Sequence, residues 1–431
     1  MDQASARANI NRAEPDADTA IFYLLTQAEQ SIQTGDHASL AITAKELGGL
    51  TGAHRWLAGP SLLVGHALAD RSDDLPAAFE IVKTAAPYAR DAPALEPALG
   101  ALLASAARTD DVALRLEGAS IAATFSSDPH RRAQAVNLWL GNIEHDALSL
   151  EQRMESARNA VIPGSPLALW ARIAWGKATG QLPLMRRIEE ARKTASFAED
   201  AEFEHHAMTL WLPGLAELVS STDRIAASRQ AMAGSRPGTR FHREAVTQWA
   251  RQTGSPSRSA TQKLDDAIAA APSAPPGLAL ETVIGVILRH LDDESAALPQ
   301  RVEAARIAAN HAPLHATLEH QAAEWWSANI VRLDPEACVA AARLAAAEAR
   351  PDSALEQNAP PLWSNAVDAL AAPAPRLQAA AFAAEAPGGN AAFQLHAEEK
   401  LAGLQAAWIP SPAVRQYAAA FTARFAPRLQ L

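Results

Sequence analysis

Tryptophan recurs at a nearly constant spacing along this chain, and that spacing constrains the fold more than any other feature. The expected ladder residues are Trp139, Trp175, Trp211, Trp249, Leu288, Trp325 and Trp363. Successive members stand 36 to 39 residues apart, with Leu288 filling the long interval between two tryptophans. Prolines share the period, each 12 residues before its ladder residue: Pro163, Pro237, Pro276, Pro313 and Pro351. Self-similarity at this period is the signature of an array of repeated structural units.

Composition indicates that each repeat is helical. Alanine, leucine, arginine and glutamate are prominent, whereas tyrosine occurs only 3 times in 431 residues. Helices favour alanine and leucine, while strands favour β-branched and aromatic residues. We therefore predict an all-α fold, an α-solenoid of about eleven antiparallel helical hairpins. Residues 1–15 are polar and aperiodic and predict a flexible N-terminal tail. Residues 16–431 predict a single helical-repeat solenoid, with the clearest repeats at 128–386.

Turn signals agree with this division. Two repeats align without a gap at an offset of 74 residues, matching Pro163-Gly164 to Pro237-Gly238. In the same alignment Gly180 matches Gly254, and we expect this second glycine to end the first helix in a left-handed conformation. Asp334 before Pro335 predicts an N-cap followed by a proline at the first helical position. Pro213 stands inside a first-helix pattern and predicts a kink or a split there.

At several of these residues the chain resembles a tetratricopeptide-like helical repeat, in a degenerate form that leaves a HEAT-like repeat open. Ala174-Trp175 followed by Gly180 looks like the small-aromatic pair and turn glycine of that family, and Gly35-Asp36-His37 looks like its turn. The chain departs from the family in its period, which is about 34 residues there, and in having Trp where Tyr is usual. The resemblance implies a right-handed superhelix whose first helices line a concave groove that binds proteins or peptides.

By the same analogy, the residues six before and one after each ladder position face the groove. These include His205, Arg243, Arg289, Glu319, Trp326 and Gln357. Their mixed charge suits a peptide or a partner helix better than a polyanion. The ladder residues themselves are expected to fill the core between successive hairpins. Trp170 and Trp326 lie off the ladder and are the better candidates for exposed contacts.

The densest set of possible metal ligands lies around Pro313. It comprises His311, His315, His320, Glu319 and Glu324. A zinc site needs three or four converging ligands, but Pro313 separates His311 from the next helix, and His320 points away from His315. We therefore predict no metal site and no cofactor. The acids Asp292 to Glu294 fall at a turn, where they cap a helix, and no phosphate loop or nucleophile motif is present.

Charge and cysteine content narrow the class of partner. The net charge is −10, so a nucleic-acid partner is disfavoured, because proteins that bind phosphate backbones carry a basic face. The single cysteine, Cys338, excludes an internal disulfide. The N-terminus has no signal-peptide pattern, and no uncharged apolar stretch reaches the length of a membrane span. We expect a cytoplasmic protein, and the Ala-rich, Arg-over-Lys composition suggests a bacterial one.

The leading functional hypothesis is a non-enzymatic repeat protein that binds a protein or peptide in its groove, as a scaffold, adaptor or sensor. One alternative is an enzyme on an α/α toroid that acts on a carbohydrate or another small substrate through acidic residues. The hairpin count argues against it, because one ring closes with fewer hairpins than this chain provides. A secreted bacterial effector, or a subunit of a larger complex, also stays open.

Overall fold

The structure is a computed structural model that describes residues 17–51, 54–69, 74–313, 316–385 and 390–407. Three regions that carry sequence predictions lie outside the described residues. These are the expected tail at 1–15, His315, and the end of the last repeat at 408–431.

Every regular element within the described residues is a helix. The chain begins with α1 Ala17–Thr34, α2 His37–Thr51, α3 Ala58–Leu68, α4 Leu75–Ala85, α5 Leu95–Arg108, α6 Val112–Phe125, α7 Pro129–Asn142, α8 Leu150–Ala160, α9 Ala168–Gly180, α10 Leu184–Phe197 and α11 Ala201–Glu217. It continues with α12 Ser221–Gly234, α13 Arg240–Thr253, α14 Ala260–Ala270, α15 Leu278–His290, α16 Leu298–His311, α17 Thr317–Ile330, α18 Pro335–Glu348, α19 Ala354–Ala369, α20 Pro373–Ala384 and α21 Ala391–Ala407. Short 3₁₀ turns occupy Arg55–Leu57, Ala86–Tyr88 and Ala271–Ser273. The predicted all-α class is confirmed, and the 21 described α-helices are compatible with about eleven hairpins.

The helices group into two compact units, Met1–Gly214 and Leu215–Leu431. The division falls inside α11, just after Pro213. That proline does not split the helix, which continues from Ala201 to Glu217. The expectation of a split first helix is therefore wrong.

Within the C-terminal unit, helices pack against their sequence neighbours and against the equivalent helix of the next repeat. The closest pairs are α12 with α13, α14 with α15, α16 with α17, α18 with α19, and α20 with α21. The first helices of successive repeats, α13, α15, α17, α19 and α21, also contact one another in order. The second helices α14, α16 and α18 do the same. The N-terminal unit is likewise built of adjacent pairs, around a core that includes Leu40, Leu62, Phe79 and Leu99.

Side-chain caps set where many of these helices begin. Asp334 accepts a hydrogen bond from the Ala337 N–H at 3.0 Å, at the position the sequence indicates. Ser149 and Ser259 each form a reciprocal capping box with the glutamine three residues on. Such caps satisfy N–H groups that have no partner inside the helix. They therefore fix the helical register of the residues that follow.

The ladder is buried, but two of its positions differ from the expected ones. Five tryptophans are completely buried at expected positions: Trp139, Trp175, Trp211, Trp249 and Trp363. In the two remaining repeats the completely buried residues are Ile287 and Trp326. Leu288 and Trp325 are only partly buried. The assignment of the ladder to these two residues is therefore wrong by one position.

In the C-terminal unit the ladder residue keeps a fixed distance from the start of its helix, not from the preceding proline. Four consecutive first helices place it nine residues after their first residue: Arg240 and Trp249, Leu278 and Ile287, Thr317 and Trp326, Ala354 and Trp363. The proline lies in the connection before the helix, and that connection varies in length. Counting 12 residues from Pro276 overshoots by one residue, and counting from Pro313 falls one short.

Trp325 has a different role, at the edge of the stack. Its indole N–H donates to the Asp292 carboxylate at 2.7 Å. The Arg301 guanidinium lies 6.0 Å from the centre of its ring. Because the indole N–H points to a carboxylate at the surface, this tryptophan links two repeats without entering the core.

The proline-containing turns before the first helices share an unusual backbone conformation. Gly164, Gly238 and Gly277 have φ values of +79°, +85° and +92°, and each follows a proline. Asp352, which follows Pro351, has a φ of +62°. Proline followed by a residue of positive φ is typical of a type II turn, but Gly277, with a ψ of −137°, does not have the backbone of that turn. The left-handed conformation thus occurs before the first helix and not at its end.

The glycines expected to be left-handed are not. Gly180 belongs to α9, and Gly254 has a φ of −73°. A Cβ on Gly254 would stand 2.9 Å from the Ala250 carbonyl oxygen, so close approach to the helix end accounts for glycine there.

The corrected register predicts that replacing two adjacent tryptophans by alanine lowers the free energy of unfolding by very different amounts. We expect Trp326→Ala to lower the free energy of unfolding by about 3–5 kcal/mol, because it empties a completely buried site. Trp325→Ala should cost about 1 kcal/mol, the scale of one hydrogen bond. Urea denaturation of both variants measures the difference. Equal costs would contradict the assigned register.

The turn at Asp352 predicts a stabilising substitution. Outside glycine, the left-handed conformation costs about 1–2 kcal/mol. We expect Asp352→Gly to raise the free energy of unfolding by about 1 kcal/mol, measured by urea denaturation. Gly238→Ala is the matched control and should lower it by a similar amount. A destabilised Asp352→Gly variant would show that the aspartate side chain stabilises the turn.

Candidate functional site

Four of the six expected groove residues are at the surface and two are not. His205, Arg243, Arg289 and Gln357 are exposed. Glu319 and Trp326 are completely buried. The expectation that these two face a groove is wrong, because the register in that repeat is shifted by one residue.

Glu319 holds the start of the next first helix. Its carboxylate accepts a hydrogen bond at 3.0 Å from the N–H of Ala354, the first residue of α19. A negative charge at a helix N-terminus is stabilised by the exposed N–H groups and the helix dipole. The buried carboxylate thus ties α17 to α19 and is structural.

Glu96 has the same role in the N-terminal unit. Its carboxylate accepts hydrogen bonds from the loop before α7, including the Ser127 hydroxyl at 2.7 Å and the Ser126 hydroxyl at 2.9 Å. Arg131 also contacts it. Burial alone raises the pKa of Glu96, but these hydrogen bonds and the arginine charge lower it to about 2.

When the register is corrected by one residue, the groove positions of α17 become His320 and Ser327. Both line an open cleft of about 700 Å³ between α17 and α19. The lining residues are His320, Ala323, Glu324, Ser327, Ala328, Ala354, Asn358, Pro361 and Leu362. In this unit, the helix face that the sequence predicted to line a groove therefore does line a cleft, once the register is corrected.

A second, smaller cleft adjoins the first. It has a volume of about 270 Å³ and lies chiefly between α19 and α21. Its lining residues are Ala346, Glu356, Gln357, Pro360, Pro361, Asn390, Ala392, Phe393 and His396. Pro361 belongs to both clefts. Together they form one surface across three successive first helices, here called the proline cleft.

Two adjacent prolines stand in the interior of α19, where the clefts meet. Pro360 and Pro361 have no N–H, so the carbonyl oxygens of Glu356 and Gln357 receive no hydrogen bond from the residue four positions on. Prolines that mark a repeat boundary remove no such bond. The pair is visible in the sequence, but the sequence does not show that it lies inside a helix.

The charged side chains in the proline cleft are acidic. Glu324 is exposed. Glu356 accepts hydrogen bonds from the Asp352 N–H at 2.6 Å and the Asn390 side-chain amide at 2.7 Å. No lysine or arginine is among the described residues that line either cleft.

The N-terminal unit presents an apolar patch on a first helix. Leu169, Trp170 and Ile173 lie on one side of α9, with 55%, 46% and 48% of their surfaces exposed. Trp170 thus has the exposure expected of an off-ladder tryptophan. Exposed apolar patches mark sites of protein–protein contact.

A contact that occurs in both units shows which positions of successive first helices meet. Trp175 packs edge-on against Phe203 at 5.0 Å and against His206 at 6.1 Å between ring centres. In the C-terminal unit, Trp363 packs in the same way against Phe393 at 5.2 Å and His396 at 6.3 Å. The residue that follows a ladder position, such as Gly176, therefore faces the residue five positions before the next ladder residue, such as His206 before Trp211.

That facing pair differs between the units. Ser364 hydrogen-bonds His396 Nε2 at 2.9 Å. Its counterpart Gly176 leaves room for His206, since a Cβ there would lie 2.3 Å from Nε2. By the same register, Leu140, which is 36% exposed, is placed to extend the apolar patch towards Trp170.

The described residues contain no group of three or more His, Cys, Asp or Glu side chains arranged to hold a metal ion. His315, part of the cluster considered from the sequence, lies outside them. Cys338 is buried, and burial raises the pKa of its thiol. Among the helices in the described ranges, none is long and apolar enough to cross a membrane.

The geometry defines an all-α protein of sequentially paired helices, consistent with a helical repeat protein. No family model matches the chain, and no curated protein is a significant match. One solved structure with similarity to the chain is described as "Computational Design of Self-Assembling Cyclic Protein Homooligomers". It is 13% identical, and the match covers 85% of this chain and 97% of that one. The TM-score is 0.10, so this likeness carries no argument about fold or function.

His206 predicts a pH-dependent term in stability. Burial, with further contributions from Arg172 and His205, lowers its pKa below the usual 6.5. Below pH 6.5 the unfolded chain therefore binds a proton that the folded chain resists, and stability falls as the pH falls. We expect the unfolding midpoint to drop between pH 7 and pH 5, and His206→Gln to reduce that drop.

NMR titration of the histidine ring signals checks this directly. His130→Gln is the matched control, because His130 is exposed on α7 and is not among the groups that shift the pKa of His206. A His206 signal that titrates above pH 6.5 would contradict the burial argument.

Proposed function

We propose that this chain is a non-enzymatic helical-repeat protein that binds a protein or peptide partner on the exposed face of its first helices. In this proposal the hairpins of each unit stack as a tetratricopeptide-like α-solenoid with the right-handed sense of that family. The partner binds to side chains that point away from the ladder. The protein then acts as a scaffold, adaptor or sensor.

The exposed apolar patch on α9 is the observation that carries this proposal. Tryptophan is enriched among the residues that dominate protein interfaces, because a large rigid ring buries much area at little entropic cost. Trp170 and its neighbours Leu169 and Ile173 share one side of a helix, which matches an amphipathic partner helix or an apolar peptide. Their burial in a complex would remove apolar surface from water.

The architecture supports the same conclusion. In a repeat array, each hairpin is stabilised by its neighbours, and the residues outside the stack are free to differ from repeat to repeat. The first-helix faces differ in this way, being apolar on α9 and polar with acidic groups in the proline cleft. Such variation is typical of a surface that recognises a specific segment.

A displayed peptide library tests the proposal. Peptides are selected on the wild-type protein, and their affinities are then measured for Trp170→Ala, Ile173→Ala and Trp56→Ala. We expect each change on α9 to weaken binding of the dominant peptides by about tenfold, the effect of losing about 1.4 kcal/mol. Trp56 is 60% exposed but lies outside the first-helix patch, so its variant should bind like the wild type.

Two results would contradict this proposal. One is a failure to select any peptide above the background of the immobilised support. The other is a set of selected peptides whose affinity is unchanged by both α9 substitutions and by changes in the proline cleft. Far-UV circular dichroism on each variant confirms that the fold is retained.

A further inference from the structure

We propose that the proline cleft binds the cationic head of a lysine or arginine side chain carried by an extended peptide segment. This inference rests on the proposed function, since it assumes that first-helix faces bind peptides. It goes further by assigning the chemistry of the bound residue and the groups that receive it.

The backbone of α19 contains two carbonyl oxygens that lack their usual N–H partners inside the helix. Because Pro360 and Pro361 lack N–H groups, the carbonyl oxygens of Glu356 and Gln357 receive no hydrogen bond from the residue four positions on, and in this proposal an external donor takes that role. Glu356, Gln357 and both prolines line the smaller cleft, and Pro361 is exposed. An unpaired carbonyl that takes no ligand must be hydrated or lose a hydrogen bond, so this position favours a partner with N–H donors.

The charges of the cleft select a cation among such donors. Glu324 lies on the α17 side with an exposed carboxylate, and no lining residue in the described part of the clefts is a lysine or arginine. Arginine offers five N–H donors and lysine offers three, and neither has an acceptor. A peptide that crosses the proline cleft can therefore place cationic N–H donors against the Glu324 carboxylate in the larger cleft and against the carbonyl oxygens in the smaller one, and charge assistance strengthens those bonds.

The dimensions suit an extended segment. The two clefts run across α17, α19 and α21, and packed helices lie about 8–10 Å apart. The surface therefore spans about 20 Å, which about six residues cover at roughly 3.3 Å each. Ala323, Ala328 and Leu362 provide apolar contacts beside the polar groups.

Two synthetic hexapeptide pools test the assignment by fluorescence anisotropy. Both carry fluorescein and random residues, and the fixed central residue is arginine in one pool and citrulline in the other. Citrulline keeps the shape of arginine but has no charge. We expect the wild-type protein to bind the arginine pool at least tenfold more tightly, and Glu324→Gln to remove most of that preference.

The prolines give a second and sharper test. The double variant Pro360→Ala/Pro361→Ala restores both intrahelical hydrogen bonds, so we expect a higher Tm together with at least fivefold weaker binding of the arginine pool. Asn365→Ala, exposed on α19 but outside both clefts, is the matched control and should bind like the wild type. A variant that is more stable but binds less cannot be explained by misfolding.

Each other outcome overturns the inference. Equal binding of the two pools would exclude a cation. Wild-type affinity in the double variant would exclude the carbonyl oxygens, and no binding of either pool would exclude the cleft. In all three cases the affinities of the selected peptides for the Trp170→Ala and Ile173→Ala variants still test the proposed function independently, because the α9 patch is in the other unit.

Discussion

Each repeat that carries a ladder residue buries a large side chain that its own helices cannot enclose, and the packing of these repeats depends on that burial. Trp139, Trp175, Trp249 and Trp363 have no exposed surface, and Trp326 takes the same position in its repeat. The neighbouring first helix closes the site, as Phe203 does for Trp175 and Phe393 does for Trp363. Each of these repeats is therefore stabilised by packing against its neighbour. A hairpin removed from its neighbours would expose its largest apolar residue.

Much of the fold could be predicted from the sequence because the residues that mark the repeats have direct physical effects on the backbone and the core. Proline in a connection, an acid or serine at a helix start and a large aromatic residue at a constant spacing each act through local chemistry. The two errors in the ladder have one cause. Ile287-Leu288 and Trp325-Trp326 are adjacent apolar pairs, so composition does not decide which member is buried. The first helical residue decides, and it depends on connection length, which a count from the proline does not reveal.

The same one-residue shift decides the site. Adjacent helical residues differ by about 100° around the axis. With the corrected register Glu319 is therefore a buried cap and not a groove residue, and His320 lines the cleft. The exposures of His205 and Gln357 were predictable because their repeats hold the expected register. The paired prolines of α19 were visible in the sequence. Their meaning was not, because only the helix bounds of Ala354–Ala369 show that they are interior rather than terminal.

The ladder and the proposed binding surface place opposite requirements on the side chains, and the chain puts them on opposite faces of the first helices. Inward positions tolerate little change, since each fills a closed site. Outward positions carry features that do not stabilise the fold: a half-exposed Trp170 in one unit, and in the other two prolines that each cost about 3 kcal/mol or more in a helix interior. Marginal stability makes such costs significant unless the stack compensates for them. A ladder of completely buried tryptophans provides that compensation, and it leaves the outward faces of the first helices free to vary from repeat to repeat.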